Sequence, residues 1–149
     1  MTVDVRLAAS REDREDALAV RRRVFVEEQG VPEDLEVDGR DDEAVHFVAT
    51  DDGEPVGAAR LRGVDADAVP DATTGKVERV AVVPARRGEG IGREIMAELE
   101  STAAELGVET LVLHAQLPVE GFYLDLGYET TSDVFEEAGI DHVEMEKLL

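Results

Sequence analysis

The stretch VPARRGEGIGREIM, residues 83–96, constrains the fold more than any other part of the chain. It follows KVERVAVV (76–83), whose alternation reads as a strand. It opens a helical stripe of Ile91, Ile95, Met96, Leu99, Ala103 and Leu106, which Gly107 ends. A strand that turns through Pro84 into an amphipathic helix needs a sheet to pair with and a sheet face to pack on, so a mixed α/β domain is expected. The turn also has a chemical character. The first amides of a helix have no acceptor within it, and the helix dipole favours negative charge there. Glycines at 88, 90 and 92 let successive amides curl around an anion that approaches the backbone closely. Arg86, Arg87 and Arg93 add positive charge. The spacing fits neither G-x-x-x-x-G-K-[ST] nor the G-x-G-x-x-G of a dinucleotide fold, which leaves a phosphate-bearing ligand of another kind or, as the plainer reading, a glycine-rich loop with no ligand.

This positive turn sits in a very acidic chain. Of 149 residues 36 are acidic and 15 basic, for a net charge of −21, and only Lys76 and Lys147 are lysine. Dispersed acids with few lysines fit adaptation to a salt-rich, halophilic cytoplasm, where counterions screen the self-repulsion. The plainer reading is an acidic protein that avoids other polyanions. Either way the balance argues against nucleic acid as a partner, because phosphates in series need a basic face. The absence of cysteine removes disulfides and thiolate nucleophiles. No apolar run approaches the roughly 18 residues of a membrane span, and the start, MTVDVRLAAS, lacks a secretory signal's basic-then-apolar layout. The expectation is one cytoplasmic domain over residues 1–149, with no membrane partner.

The rest of the chain supplies elements around that junction. VDVRL (3–7) alternates as a strand. Ser10 with Asp13 resembles a capping box, after which Ala17, Val20 and Val24 keep helical spacing to about Gln29. GVPEDLEVDGRDDE (30–43) reads as an acidic loop. AVHFVAT, DDG and EPVGAARLRG predict a hairpin, and residues 64–75 a polar connection. Residues 76–83 then form the third strand of a meander, with Val77, Arg79 and Ala81 on one face and Glu78, Val80 and Val82 on the other. TLVLHA (110–115) predicts a strand, PVEGFYLDL a short helix closed by Gly127, and IDHVEMEKL a last strand, with one further strand near Tyr128.

Arg87-x-x-Gly90-x-Gly92, preceded by RVAVVP and followed by REIMAELE, resembles the acyl-CoA-binding segment of the GNAT family of N-acetyltransferases. FYLDLGY (122–128) resembles that family's second signature. RRRVFVEEQGVPEDLEVDGRDDEAVHFVA (21–49), LHAQ (113–116) and FEEAGIDHVEM (135–145) are similar to its ElaA-like branch. The resemblance spans nearly the whole chain. It implies the GNAT acyl-CoA N-acyltransferase fold: a mostly antiparallel central sheet flanked by helices and splayed between the strands at 76–83 and 110–115. It implies acetyl-CoA as cosubstrate, with the pantetheine arm along the backbone of Val80, Ala81 and Val82. The diphosphate would lie on amides of Gly88, Glu89, Gly90, Ile91, Gly92 and Arg93, with Arg87 beside them. The implied reaction is acetyl transfer to a primary amine, on a small molecule or a peptide, by direct attack in a ternary complex. A homodimer is in keeping with the family.

Tyr123 matches the tyrosine that many of these enzymes use as general acid toward the departing thiolate. A phenol of pKa ~10 stays protonated at neutral pH and can protonate a thiolate of ~8.5. Core packing beside Phe122, Leu124 and Leu126 is the plainer reading. Glu78 is the candidate general base, against the plainer reading of a solvated carboxylate among 36 acids. The Val82 amide would donate to the thioester oxygen. Glu28, Gln29, Glu36 and Asp38 lie where the family forms the acceptor side of its pocket, and they would attract a cationic amine. His114 and His142 would line the same pocket, and Arg60 would hold a carboxylate or an internal ion pair. The histidines at 46, 114 and 142 stand singly, without metal-site spacing, so no metal is expected. A non-catalytic acyl-CoA sensor that keeps the cleft is the competing reading, and a nucleotide-binding regulator is a third.

Overall fold

The computed structural model describes residues 3–66 and 69–149. Its strands are β1 (Val3–Leu7), β2 (Val45–Asp51), β3 (Glu54–Gly63), β4 (Thr74–Val82), β5 (Thr110–Gln116), β6 (Glu129–Thr130), β7 (Phe135–Glu137) and β8 (Ile140–Leu148). They form one open sheet in the order β1-β2-β3-β4-β5-β8-β6, with β7 added to β8. Every described pairing is antiparallel except that of β4 with β5. The helices are α1 (Arg11–Arg21), α2 (Glu33–Glu36), α3 (Ile91–Glu105) and α4 (Glu120–Asp125). Residues 67 and 68, within the expected polar connection, lie outside the described residues.

Helix α3 follows its sequence pattern. Ile91, Ile95, Met96, Leu99 and Ala103 are buried, and Gly107 leaves the helix at φ +90°. A side chain at Gly57 of β3 would meet Ile95, so that face of β3 receives α3. The alternate residues Ala58 and Arg60 point the other way, toward α1, where Arg60 and Arg21 share Asp41. The two long helices therefore flank the meander on opposite faces.

Helix α1 starts as expected, with Ser10 Oγ accepting the Asp13 amide at 3.1 Å. The return half of the capping box is absent, because the Asp13 carboxylate takes Arg6 of β1 instead, at 2.8 and 3.1 Å. Beyond Arg21 the helix widens into a π-turn, Arg22–Glu28, closed by the Gln29 amide on the Val24 carbonyl. The acidic stretch after it is partly ordered rather than all loop. Pro32 precedes the single turn of α2, whose first-turn acids suit a helix start, and a 3₁₀ turn follows at Asp41–Glu43.

Strand β4 departs from the expected alternation. Arg79 has φ +58°, and Arg79 with Val80 stands opposite the single residue Ala59, forming a β-bulge. Directly paired residues share a face, so Glu78 (opposite Arg60) and Ala81 (opposite Ala58) lie together on the α1 side. Val77 (opposite Leu61) and Val82 (opposite Gly57) lie on the α3 side. The grouping of Glu78 with Val82, and of Val77 with Ala81, is thus corrected: one surplus residue reverses the parity of the strand beyond it.

Candidate active site

The bulge coincides with the place where the sheet opens. β4 and β5 pair in parallel from Thr74–Thr110 only as far as Val77–Leu113. Beyond that pair the strands separate, leaving Glu78 and His114 as the first residues on either lip. Between them lies a cavity of about 630 Å³. Its walls come from β4, β5, the end of the π-turn, the α2 segment, Val119 and Tyr123 near α4, and the turn between β7 and β8. It extends to Val82 and Arg87, the threshold of the glycine turn.

The open edge of β4 presents main-chain groups. The Val83 amide bonds Val56 of β3, so by alternation the peptide edges of Val82 and Val80 face the gap. The Val82 carbonyl confirms that direction by accepting Arg87 Nε at 2.9 Å. Ala81 turns its peptide toward β3 and contributes to the cavity wall by its position rather than by a free amide.

The glycine turn is shaped as the sequence requires. Gly88 and Gly90 take φ +82° and +87°, a region that side chains other than glycine's disfavour. Gly92 lies where an added Cβ would sit 3.3 Å from Phe122, so the helix start and α4 approach closely. No side chain caps α3, and the amides from Gly88 to Arg93 have no acceptor among the described residues. The first intrahelical bond is that of the Glu94 amide to Gly90. Six consecutive N–H groups at a helix start make a receptor for an anion, and a diphosphate fits that donor set.

The three arginines of the turn are used differently. Arg86 pairs with Asp51 at 2.8 Å and Glu89 at 3.0 Å, away from the cavity. Arg87 is held by both oxygens of Glu28, at 2.7 and 2.8 Å. Arg93 is exposed and has no partner among the described residues. Glu28, expected on the acceptor side, is therefore committed to Arg87 at the phosphate end. Gln29 lines the cavity and exchanges hydrogen bonds with Gln116 across its mouth, at 2.9 Å in the closer direction.

Beneath α1 and α2 lies an ion network that spacing alone does not reveal. Arg21 and Arg60 are both 0% exposed. Arg21 donates to Glu36 at 3.2 Å and to Asp41 at 2.7 Å. Arg60 bonds both oxygens of Asp38 at 2.9 Å, with Asp41 at 3.1 Å and Glu78 at 2.9 Å. Arg79 Nε lies 2.6 Å from Glu36, close in charge but out of line for a hydrogen bond, and its Nη2 reaches Asp38 at 3.4 Å. Arg60 thus forms the internal ion pairs, and Asp38 is one of its partners. The Arg60 hydrogen bond outweighs burial and holds the Asp38 carboxyl far below the usual carboxylate range. Burial works to raise Glu78, but Arg62, Arg60 and Lys76 outweigh it and keep that carboxyl low.

On the opposite lip, β5 and β8 are neighbours: His114 pairs with Glu144 and His142 with Gln116. Strand β7, which the sequence reading missed, folds back through Ala138 and Gly139, both at positive φ. It carries Glu137 to 3.2 Å from His114 Nδ1, with His142 Nε2 at 3.8 Å. Phe135 packs against both histidine rings. The signal was an Ala-Gly turn, weaker than the Asn-Gly or Asp-Gly that marks such hairpins. Tyr123 lines the cavity in an edge-to-face stack with Phe122 and Tyr128. Its hydroxyl has no hydrogen-bond partner among the described residues, and burial raises the phenol above its ordinary value, keeping it protonated.

The family description "Acetyltransferase (GNAT) domain" matches residues 9–149. The chain is similar to the uncharacterized N-acetyltransferase YjcF of Bacillus subtilis, 39% identical over 142 residues that make up 95% of this chain and 96% of that protein. It is similar to protein ElaA of Escherichia coli, 32% identical over 130 residues, 86% of this chain and 82% of ElaA. The crystal structure of E. coli ElaA superposes with a TM-score of 0.83 at 27% identity, covering 97% and 99% of the two chains. An acyl-CoA N-acyltransferase from Pseudomonas aeruginosa superposes at 0.80 with 28% identity, covering 97% of each chain.

Proposed function

Because the chain belongs to the GNAT acetyltransferase family, we propose that it moves the acetyl group of acetyl-CoA onto a primary amine held in the cavity between β4 and β5, by direct attack in a ternary complex. The observation that carries this reading is one continuous path. It runs from the six unpaired amides at Gly88–Arg93, along the open peptide edge of Val82 and Val80, to the point past Val77–Leu113 where the lips part. The P. aeruginosa relative bears the name of an acyl-CoA enzyme, and in this reading the same cosubstrate class serves here.

The cosubstrate supplies an acetyl thioester. The amine nitrogen bonds the acetyl carbon, the carbon–sulfur bond breaks, and the sulfur takes a proton. Tyr123 is the donor of that proton: it lines the cavity, stays protonated, and its hydroxyl has no competing partner among the described residues. The Val82 amide, on the open edge, donates to the thioester oxygen as charge develops there. Glu78 is a poor base, because a carboxylate held by three cations has little affinity for a proton. In this reading Glu78 anchors Arg60 and Arg62, and the amine proton leaves to the water of the open cleft.

A coenzyme A release assay against a panel of primary amines, at low and high salt, tests the proposal. Tyr123→Phe is expected to lower turnover about tenfold or more while coenzyme A still raises the melting temperature. Acetyl-CoA binding with no release across the panel would leave a sensor. Protection by ATP or NAD but not by coenzyme A would leave a nucleotide-binding regulator.

A further inference from the structure

The β3–β4 wall of the cavity carries more positive charge than its carboxylates balance. Arg62 and Lys76 stand directly opposite each other on β3 and β4. A like-charge cross-strand pair is destabilising unless an anion lies between the two groups. Both side chains are largely shielded from water, at 18% and 22% exposed, so their charge is costly to leave uncompensated. Among the described residues Glu78 is the one carboxylate they reach, and Arg60 shares it at 2.9 Å. Lys76 Nζ is 3.7 Å from Glu78, an ion pair without a hydrogen bond. Among the described residues the Lys76 ammonium and Arg62 Nη1 therefore keep unused donors, and both residues line the cavity. Arg40, at the mouth, has a guanidinium without a partner among the described residues.

The nearby acids among the described residues do not fill this gap. Asp38, Asp41 and Glu36 are committed to Arg60, Arg21 and Arg79. Asp65, on the adjoining groove, is bound to Thr73 and Thr74. Glu43, on the same groove, forms no ion pair with Arg40 or Arg62. Across the cavity the charge is reversed, with Glu137 beside His114 and His142. In a chain of net charge −21 this cationic wall is a local exception.

We propose that Arg62 and Lys76, with Arg40 at the mouth, form a carboxylate-binding subsite, so that the acceptor is an amino carboxylate. Its acid group lies on the β3–β4 wall, and its amino group points toward His114 and Glu137. The word acceptor rests on the transferase reading; the subsite itself does not need turnover. Arginine binds a carboxylate through a fork of parallel hydrogen bonds, and the lysine adds a point charge beside it.

The test is thermal protection of the coenzyme A-saturated protein at fixed ionic strength. Glycine, β-alanine, lysine and glutamate are compared with their carboxamides and with the matching decarboxylated amines. At least one amino carboxylate should protect at concentrations about tenfold or more below its carboxamide. Arg62→Gln with Lys76→Met should abolish the difference. If that double variant does not fold, Lys76→Met alone should reduce it. Equal or better protection by the carboxamides or decarboxylated amines overturns the subsite. Coenzyme A release measured in parallel keeps the two readings apart. Selective protection without release refutes transfer and keeps the subsite, whereas faster release with the decarboxylated amines keeps transfer and refutes the subsite.

Discussion

Replacing Glu28 by glutamine should tighten the binding of coenzyme A. The Arg87 guanidinium is held from two sides, by the Val82 carbonyl at 2.9 Å and by the two Glu28 oxygens at 2.7 and 2.8 Å. A diphosphate resting on the amides of residues 88–93 must compete with Glu28 for this cation. Arg87 is 44% exposed and Glu28 35%, so water weakens their attraction. Such a pair contributes about 0.2–1 kcal/mol, and its fork geometry puts it at the upper end. At tenfold per ~1.4 kcal/mol, releasing Arg87 corresponds to roughly two- to fivefold in Kd. Isothermal titration with coenzyme A at low salt reads that change, and the gain should shrink in about 1 M salt, where the Debye length falls to ~3 Å. In an Arg87→Ala background the Glu28 change should have no effect. Unchanged or weaker binding by the Glu28→Gln protein at low salt would refute the competition, and Glu28 would instead be the group that orients Arg87 for its ligand.

Two further outcomes concern the buried ions. Glu36→Ala leaves the fully buried Arg21 with Asp41 as its remaining carboxylate, at 2.7 Å. Breaking a buried pair costs about 3–5 kcal/mol, and at ~2–4 °C per kcal/mol for a domain of this size the melting temperature should fall by roughly 6–20 °C; an unchanged value would show that the network is not closely coupled. The second outcome is the direction of pH dependence in high salt, where repulsion among the surface acids is screened. Burial lowers the His46 pKa, so stability should begin to fall below the unfolded value of ~6.5. Asp38, Asp41 and Glu78 are also depressed, so their contribution is present above the unfolded carboxylate range near ~4 and lost as pH drops through it. A melting temperature that rises steadily down to pH ~4 in high salt would contradict this order.

Periodic elements were the legible ones. The face of α3, the β2–β3 hairpin through Asp52 and Gly53, and the last strand at residues 140–148 all follow patterns that neighbouring residues define. The glycine turn was readable because positive φ and bare amides require particular residues at particular places. The family, read from Arg87-x-x-Gly90-x-Gly92 and FYLDLGY, agrees with the match over residues 9–149. What stayed hidden depends on distant partners. Among 36 acids, nothing local marks Glu36 as buried or ties Asp38 to Arg60, because the fold makes those pairs across 15 and 22 residues. The Arg79 bulge was invisible for a related reason: arginine is an ordinary strand residue, and its left-handed backbone is set by the register of β3.

That bulge makes the length of β4 a functional quantity. Deleting one residue between Glu78 and Ala81 would remove the bulge yet leave Ala81 opposite Ala58 and on the same face, whereas a one-residue change beyond it that left the bulge in place would exchange what each later position shows to helix and cleft. Side chains beyond the bulge can therefore be swapped one at a time, while a change in residue count keeps the cleft's inner lining in place only where the bulge itself absorbs it.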